Sequence, residues 1–292
     1  MKNIQRFIAS VLALLCLTPT LFACKQNTQS DLAPPPQTES TDSTDSTDST
    51  DNSDSVDNSI TPDVPPVSDE ESSTLPKPQP VPQAEYLQCT GSSVHFRSGA
   101  GTNYAVIGSA KKGETYALIG KVGNWYETYY RGKKVYISAS YVAVTSLQPH
   151  TDDEVENVLS EGYKLLGVPY VYGAVRFHDG KGKLLSGFTA QKFDCSSLVQ
   201  YVFYKGAKTL LQVNTRTQIL QGKYVSKNDL QRGDCMFFTN STREHLTGIE
   251  RVGHVAIYLG DNYILHTASD YARIEKISAS RWKYYIEARR FI

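Results

Sequence analysis

The residue best suited to covalent chemistry in this chain is Cys195, which opens a predicted helix. Residues 193–204 read FDCSSLVQYVFY, and apolar residues follow the cysteine at three- and four-residue intervals, as on one helix face. A thiol at a helix N-terminus meets unpaired backbone N–H groups and the positive end of the macrodipole, and both favour the thiolate. We therefore expect a lowered thiol pKa and a nucleophile, although a lone cysteine is more often a small buried apolar residue.

Two downstream histidines could supply the base that such a nucleophile needs. His254 and His266 lie in apolar runs on either side of Gly260-Asp261-Asn262, which is typical of a β-hairpin. A loop centred on Gly260 would place the histidines directly opposite each other, with Cβ atoms ~4.5–5.5 Å apart. His254 would then take the thiol proton, His266 would fix the tautomer of His254, and the backbone N–H of Cys195 would meet the oxyanion. Either histidine alone is more often structural, but the three together favour a catalytic site.

The elements that must position these residues occupy residues 151–292. A helix is predicted over residues 152–166, with Thr151 or Asp152 as its N-cap, and the cysteine helix follows a long polar loop. Strands are predicted at 235–238, 252–259, 263–267 and 285–292. Helices followed by antiparallel strands predict an α+β fold.

An earlier stretch, residues 86–145, predicts a small all-β barrel. Short β-like runs separated by glycine-containing turns lie at 93–97, 105–109, 115–122, 125–130 and 133–137. Its aromatic residues fit a barrel core and a ligand surface equally well.

The amino-terminal part predicts export rather than a folded domain. Residues 1–23 combine two basic residues with a short apolar run, as in a secretory signal, and Leu21-Phe22-Ala23-Cys24 resembles a bacterial lipobox in which Cys24 is lipidated. An ordinary signal peptide is the alternative. Residues 24–85 are rich in Ser, Thr, Asp and Pro and predict a disordered acidic linker.

The formal net charge of zero conceals an asymmetry along the chain. Residues 24–85 carry 13 acidic and 2 basic residues, whereas residues 86–292 carry 17 acidic and 26 basic residues. A basic folded part suits an anionic polymer, and for an exported protein we expect the cell wall rather than nucleic acid.

The remaining cysteines and histidines do not predict a metal site. Cys89 and Cys235 could form a disulfide, but two buried free thiols are the favoured interpretation. His178 and His245 lie in polar loops and are predicted to be surface residues. We expect no cofactor and no metal.

Both folded parts resemble known families. Residues 86–145 resemble the bacterial SH3-like domain through an R-S-G-x-G turn, K-K-G, G-x-W-Y and Y-I-S-x-x-Y. Residues 151–292 resemble the NlpC/P60 family of cell-wall cysteine peptidases through P-Y-V-Y-G, F-D-C-S-S-L-V-Q-Y, R-G-D-x-x-F-F, G-H-V-A-I-Y-L-G and I-L-H-T-A. The resemblance implies a papain-like α+β domain in which helices pack on an antiparallel sheet.

The same resemblance implies roles for six residues. Cys195 would be the nucleophile, His254 the base and His266 the third polar residue; Tyr170 would lie near the oxyanion, and Asp194 and Ser196 would line the substrate site. The chain departs from the family at Ala174, where a second glycine is common, at Cys235, and in the lengthened connection 175–192.

The function implied is a membrane-anchored, extracytoplasmic endopeptidase. It would cleave peptidoglycan stem peptides or muropeptides between γ-D-glutamate and a diamino acid through an acyl-enzyme. An amidase or acyltransferase using the same triad, and a non-catalytic wall-binding lipoprotein, are the alternatives.

Overall fold

The computed structural model describes residues 84–292. The predicted signal segment 1–23, the lipidation site Cys24 and nearly all of the predicted linker 24–85 lie outside these residues. Among residues 84–292, no helix is both long enough and apolar enough to cross a membrane.

The first folded part is built of strands, with one short 3-10 helix at Ala139–Tyr141. The strands are β1 (Ala84–Cys89), β2 (Ser93–Arg97), β3 (Val106–Lys111), β4 (Thr115–Ala117), β5 (Gly120–Val122), β6 (Trp125–Tyr130), β7 (Lys133–Ser138) and β8 (Val142–Leu147). The predicted strand 115–122 is interrupted at Leu118 and Ile119, and the sequence did not predict β1 or β8. The five strands β3-β2-β7-β6-β5 form one antiparallel sheet around the buried residues Phe96, Val135 and Ile137.

The second part has the predicted order of helices before strands. Its elements are α1 (Asp153–Lys164), α2 (Cys195–Ala207), α3 (Thr215–Gln218), β9 (Lys223–Val225), β10 (Cys235–Phe238), β11 (His254–Gly260), β12 (Tyr263–Ala268), β13 (Tyr271–Lys276), α4 (Ala279–Lys283) and β14 (Tyr285–Arg290). The α+β fold class is confirmed.

One antiparallel sheet of nine strands joins the two parts. Its order is β8-β1-β4-β13-β12-β11-β10-β14-β9, and the junction is the pairing of Thr115 in β4 with Ile274 in β13. Strands of the barrel therefore extend the sheet that carries both histidines.

Side-chain contacts reinforce this junction. The hydroxyls of Tyr86 in β1 and Tyr163 in α1 are 2.6 Å apart, and Arg232 donates to Tyr163 at 2.8 Å and to Glu156 through two nitrogens at 2.6 and 3.0 Å. Arg232 is almost completely buried. The buried guanidinium of Arg232 therefore lies where β1, α1 and the loop before β10 meet.

The ends of the two long helices agree with the sequence signals. Asp152 caps α1 through the N–H of Glu154, and Gly167 follows the helix with φ +81°. A Cβ at Gly167 would lie 2.4 Å from the Tyr130 ring, so both its backbone conformation and the adjacent barrel favour glycine. Asp194 caps α2 in a reciprocal capping box with Ser197.

The loop 175–192 packs more closely than predicted, and the surface assignment of His178 is wrong. His178 is fully buried, and its Nδ1 accepts the N–H of Gly180. The adjacent Phe177 packs its ring against Tyr201 and Tyr204 of α2. These aromatic contacts hold the loop on the helix, whereas His245 is exposed as predicted.

Candidate active site

Cys195 is the first residue of α2 and lies against strand β11. Cys195 is 8% exposed, and the nearby backbone N–H groups of Val255 and Ser196 act to lower the pKa of its thiol. Because Cys195 is the first helical residue, its backbone N–H has no acceptor within the helix. Val255 directly follows His254, so the strand contact brings the thiol beside the predicted base.

The hairpin brings the two histidines together, but in a different register from the one predicted. Ile257 pairs with Leu265 and Tyr258 with Ile264, and the turn is the two-residue segment Asp261-Asn262, with φ of 47° and 68°. Two positive φ values are what a tight type I′ turn requires. His254 and His266 are therefore diagonal neighbours rather than direct partners. His254 Nε2 nevertheless lies 2.9 Å from His266 Nδ1.

A carboxylate that the sequence did not predict extends this pair. Glu275 Oε1, on β13, lies 3.2 Å from His266 Nε2 and accepts a 2.8 Å hydrogen bond from Arg281 of α4. This contact is within ion-pair distance, although it does not meet the criteria of a standard hydrogen bond. Three ionisable groups thus stand in a row behind the thiol.

The row selects one tautomer for each ring. Burial raises the pKa of Glu275, but His266, Arg281 and Arg273 outweigh it and hold that pKa at about 2. An ionised carboxylate can only accept, so His266 carries its proton on Nε2 and accepts at Nδ1 from His254 Nε2. This arrangement leaves His254 Nδ1 unprotonated, as a general base must be.

The Cys195 thiol and the His254 ring are both uncharged at neutral pH, contrary to the expected thiolate. Burial, and secondly the Asp194 carboxylate, raise the pKa of the Cys195 thiol to about 11. Burial, and secondly the positive charges of His266 and Arg281, hold the pKa of His254 well below its usual value. The helix-terminus effect that favours a thiolate is outweighed because the thiol is removed from water.

Two pockets meet at the thiol and share Tyr170, Cys195 and Gly253. The larger, of about 450 Å³, includes His254, and the smaller, of about 170 Å³, includes Asp194 and Ser196. Burial raises the pKa of Tyr170 to about 12, so its hydroxyl stays protonated and can donate. The pockets form a groove with the nucleophile at its middle.

The smaller pocket contains an ion pair that the sequence did not predict. Arg176 Nη1 lies 2.7 Å from Asp194 Oδ2, and Arg176 Nη2 donates to Ser196 Oγ at 3.1 Å. The side chain of Arg176 comes from the lengthened loop and binds both residues that were predicted to line the substrate site.

The other two cysteines of residues 84–292 do not line this groove. Cys89 and Cys235 are buried free thiols. Within residues 84–292, no cluster of His, Cys, Asp or Glu has the geometry of a metal site.

Family models match both parts of the chain. Residues 167–290 match the NlpC/P60 family, and residues 92–143 match the bacterial SH3 domain.

Curated relatives share the second part of the chain. A gamma-DL-glutamyl hydrolase of Bacillus subtilis is 30% identical over 52% of this chain and 32% of its own length. A gamma-D-glutamyl-L-lysine dipeptidyl-peptidase of Bacillus cereus is 29% identical over 47% of this chain and 36% of its own length. The chain thus spans about a third of these two relatives.

A solved structure from Staphylococcus aureus, described as similar to a lipoprotein of the NLP/P60 family, is 29% identical. It aligns with 53% of this chain and 46% of its own, with a TM-score of 0.39.

Proposed function

Since residues 167–290 match the NlpC/P60 family and residues 92–143 the bacterial SH3 domain, we propose that this protein is a cysteine endopeptidase of peptidoglycan. The observation that carries the proposal is the row of groups behind the thiol: Cys195 shares a groove with His254, His254 Nε2 lies 2.9 Å from His266, and His266 faces Glu275.

The first step is attack of the Cys195 sulfur on a substrate carbonyl carbon. Because the thiol is protonated at rest, its proton must pass to His254 as the S–C bond forms. His266 Nδ1 accepts from the resulting imidazolium, and the carboxylate of Glu275 stabilises the positive charge.

The negative charge that develops on the substrate oxygen needs fixed donors. The backbone N–H of Cys195 is free at the start of α2, and the protonated Tyr170 hydroxyl lines the same groove. Both donors are in place before the reaction, which is the condition for effective oxyanion stabilisation.

Collapse of the tetrahedral species breaks the C–N bond. His254 gives its proton to the leaving amine, so the amine half of the substrate lies in the larger pocket and the acyl half in the smaller one. Water, deprotonated by the same imidazole, then hydrolyses the thioester on Cys195.

For the bond and the location, we propose the amide between γ-D-glutamate and a diamino acid, outside the cytoplasm, with the membrane anchor at Cys24. The names of the two curated relatives support the γ-glutamyl specificity. The lipobox-like sequence before Cys24 supports the anchor. The basic charge of residues 86–292 favours an anionic wall polymer.

Defined stem peptides test the reaction. Residues 84–292 lie within one compact unit. The protein can be incubated with L-alanyl-γ-D-glutamyl-diamino-acid peptides, amino-terminally acetylated and free, and the product masses measured. We expect cleavage after glutamate in at least one peptide by the wild type, and none by Cys195→Ala.

A matched control is Cys89→Ala, which removes a buried thiol from β1 of the barrel. This variant should retain cleavage. Cleavage by Cys195→Ala at the wild-type rate, or products from a different bond, would contradict the proposed reaction.

A further inference from the structure

Positive charge dominates the smaller pocket beside the thiol. Arg176, Arg216 and Arg243 all line it, whereas Asp194 is its only acidic residue. A second carboxylate, the exposed Glu250, lies 3.6 Å from Arg216 and 3.8 Å from Arg243. Three guanidinium groups therefore face two carboxylates, which leaves an excess of one positive charge.

The Asp194 carboxylate has no acceptor position left for a ligand. Its Oδ1 accepts from the Ser197 N–H at 2.9 Å and from the Ser196 hydroxyl at 3.1 Å. Its Oδ2 accepts from the Gly173 N–H at 3.1 Å and lies 2.7 Å from Arg176. Two carboxylate oxygens offer about four acceptor sites, and all four are used.

Arg176 is fixed in this position by the backbone around it. Its Nε donates to the carbonyl of Val213 at 2.6 Å and its Nη1 to the carbonyl of Ala174. The side chain is largely buried, and with a bond at every nitrogen it cannot leave Asp194 without losing several hydrogen bonds. The acidic group is therefore neutralised permanently by the protein itself.

We infer that this pocket selects stem peptides whose amino terminus is acylated, as in intact wall, and disfavours peptides with a free amino-terminal ammonium. The inference rests on the proposed function, which places the acyl half of the substrate in this pocket. An ammonium there would meet excess arginine charge and a saturated carboxylate, whereas an amide brings no charge. The same excess accommodates the α-carboxylate that a γ-glutamyl linkage leaves free.

The experiment compares two substrates on one enzyme preparation. We would measure kcat/KM for L-alanyl-γ-D-glutamyl-diamino-acid and for its N-acetyl form at pH 6.5. Because like charges brought together cost more than the 1.4 kcal/mol that equals tenfold, we expect the acetylated peptide to be preferred by about tenfold or more. The ratio cancels any difference in the amount of active enzyme.

The pH dependence of this ratio isolates the charge from the size of the acetyl group. A free α-amino group has a pKa of about 8, so above pH ~9 most of the amino terminus of the free peptide is uncharged. The preference should shrink as pH rises from 6.5 to 9. The charged groups that face this pocket are Arg176, Arg216, Arg243, Asp194 and Glu250. A preference that does not change with pH would overturn the inference.

Arg176→Gln removes the cation from Asp194 and should lower the preference for the acetylated peptide several-fold. Arg176→Lys keeps the charge and should retain most of the preference. Lys181→Gln removes an equal charge from an exposed position of the same loop and should leave the ratio unchanged. If Arg176→Gln does not fold, the ratio of kcat/KM values for the wild type and its pH dependence still test the inference.

The inference and the proposed function fail in different ways. Cleavage of both peptides with equal efficiency, or a preference for the free amine, would overturn the inference and leave the endopeptidase intact. Cleavage of neither peptide would overturn the proposed function and this inference with it.

Discussion

Replacing Glu275 by glutamine removes the negative charge at the end of the histidine row while keeping the shape of the side chain. Glutamine can still accept from His266 through its carbonyl oxygen, so the tautomers need not change. The variant loses the electrostatic stabilisation of the imidazolium that the proposed mechanism forms on His254, and Arg281 loses its carboxylate partner.

The size of the effect follows from the distances. Glu275 lies 3.2 Å from His266, and His266 lies 2.9 Å from His254. With the ring included, the separation from the carboxylate to the His254 ring is about 8 Å, at which two unit charges interact by roughly 2 kcal/mol at an effective dielectric of about 20. Because the Glu275 side chain is 32% exposed, screening reduces this energy. We expect a loss of about tenfold to thirtyfold in kcat.

The assay is the pH profile of peptide cleavage for the wild type and Glu275→Gln. In the proposed mechanism activity requires neutral His254, whose pKa lies below its usual value of 6.5, so the acid limb of the profile should lie below pH 6.5 in the wild type. It should move further to acid in the variant, because removing a negative charge lowers that pKa again. The control is Glu287→Gln, which breaks a Glu287–Arg289 pair on β14. It should change neither kcat nor the pH of the acid limb. An unchanged kcat, or an acid limb that moves towards neutral pH, would refute the reasoning.

Two further predictions concern the thiol and the junction. Since the pKa of Cys195 is about 11, its alkylation rate should climb through pH 7–10, and a plateau below pH 7 would instead indicate a resting thiolate paired with protonated His254. Arg232→Met should lower the free energy of unfolding by about 3 kcal/mol, because it leaves Glu156 partly buried without its partner. Denaturant unfolding measures this loss, and Lys134→Met, at an exposed pair, should show no measurable change.

The sequence predicted the parts of the site that follow from short-range patterns. A helix that begins at Cys195 and a hairpin that carries His254 and His266 depend on capping residues, apolar spacing and a turn signal. The register was wrong by two residues because Gly260 pairs with Tyr263 instead of lying in the loop centre. Diagonal contact still joins the rings, since imidazoles reach across the longer separation.

Glu275 could have been found from the sequence, whereas Arg176 could not. Residues 271–276 read YARIEK, an alternation in which Ala272 and Ile274 are buried, and this period-two pattern predicts a strand beside β12. Arg176 lies in an irregular loop, and its contact with Asp194 spans 18 residues with no repeating pattern. Desolvation of the Cys195 thiol likewise depends on tertiary packing, so the helix terminus alone gave the wrong direction for its pKa.

The most direct test of the central claim is to identify the atom that carries the acyl group during turnover. Acid quenching in the steady state, followed by proteolysis and mass measurement, should place the glutamyl-containing acyl group on the peptide that contains Cys195. An acyl group on any other residue, or cleavage that continues at the wild-type rate in Cys195→Ala without an adduct, would contradict the account.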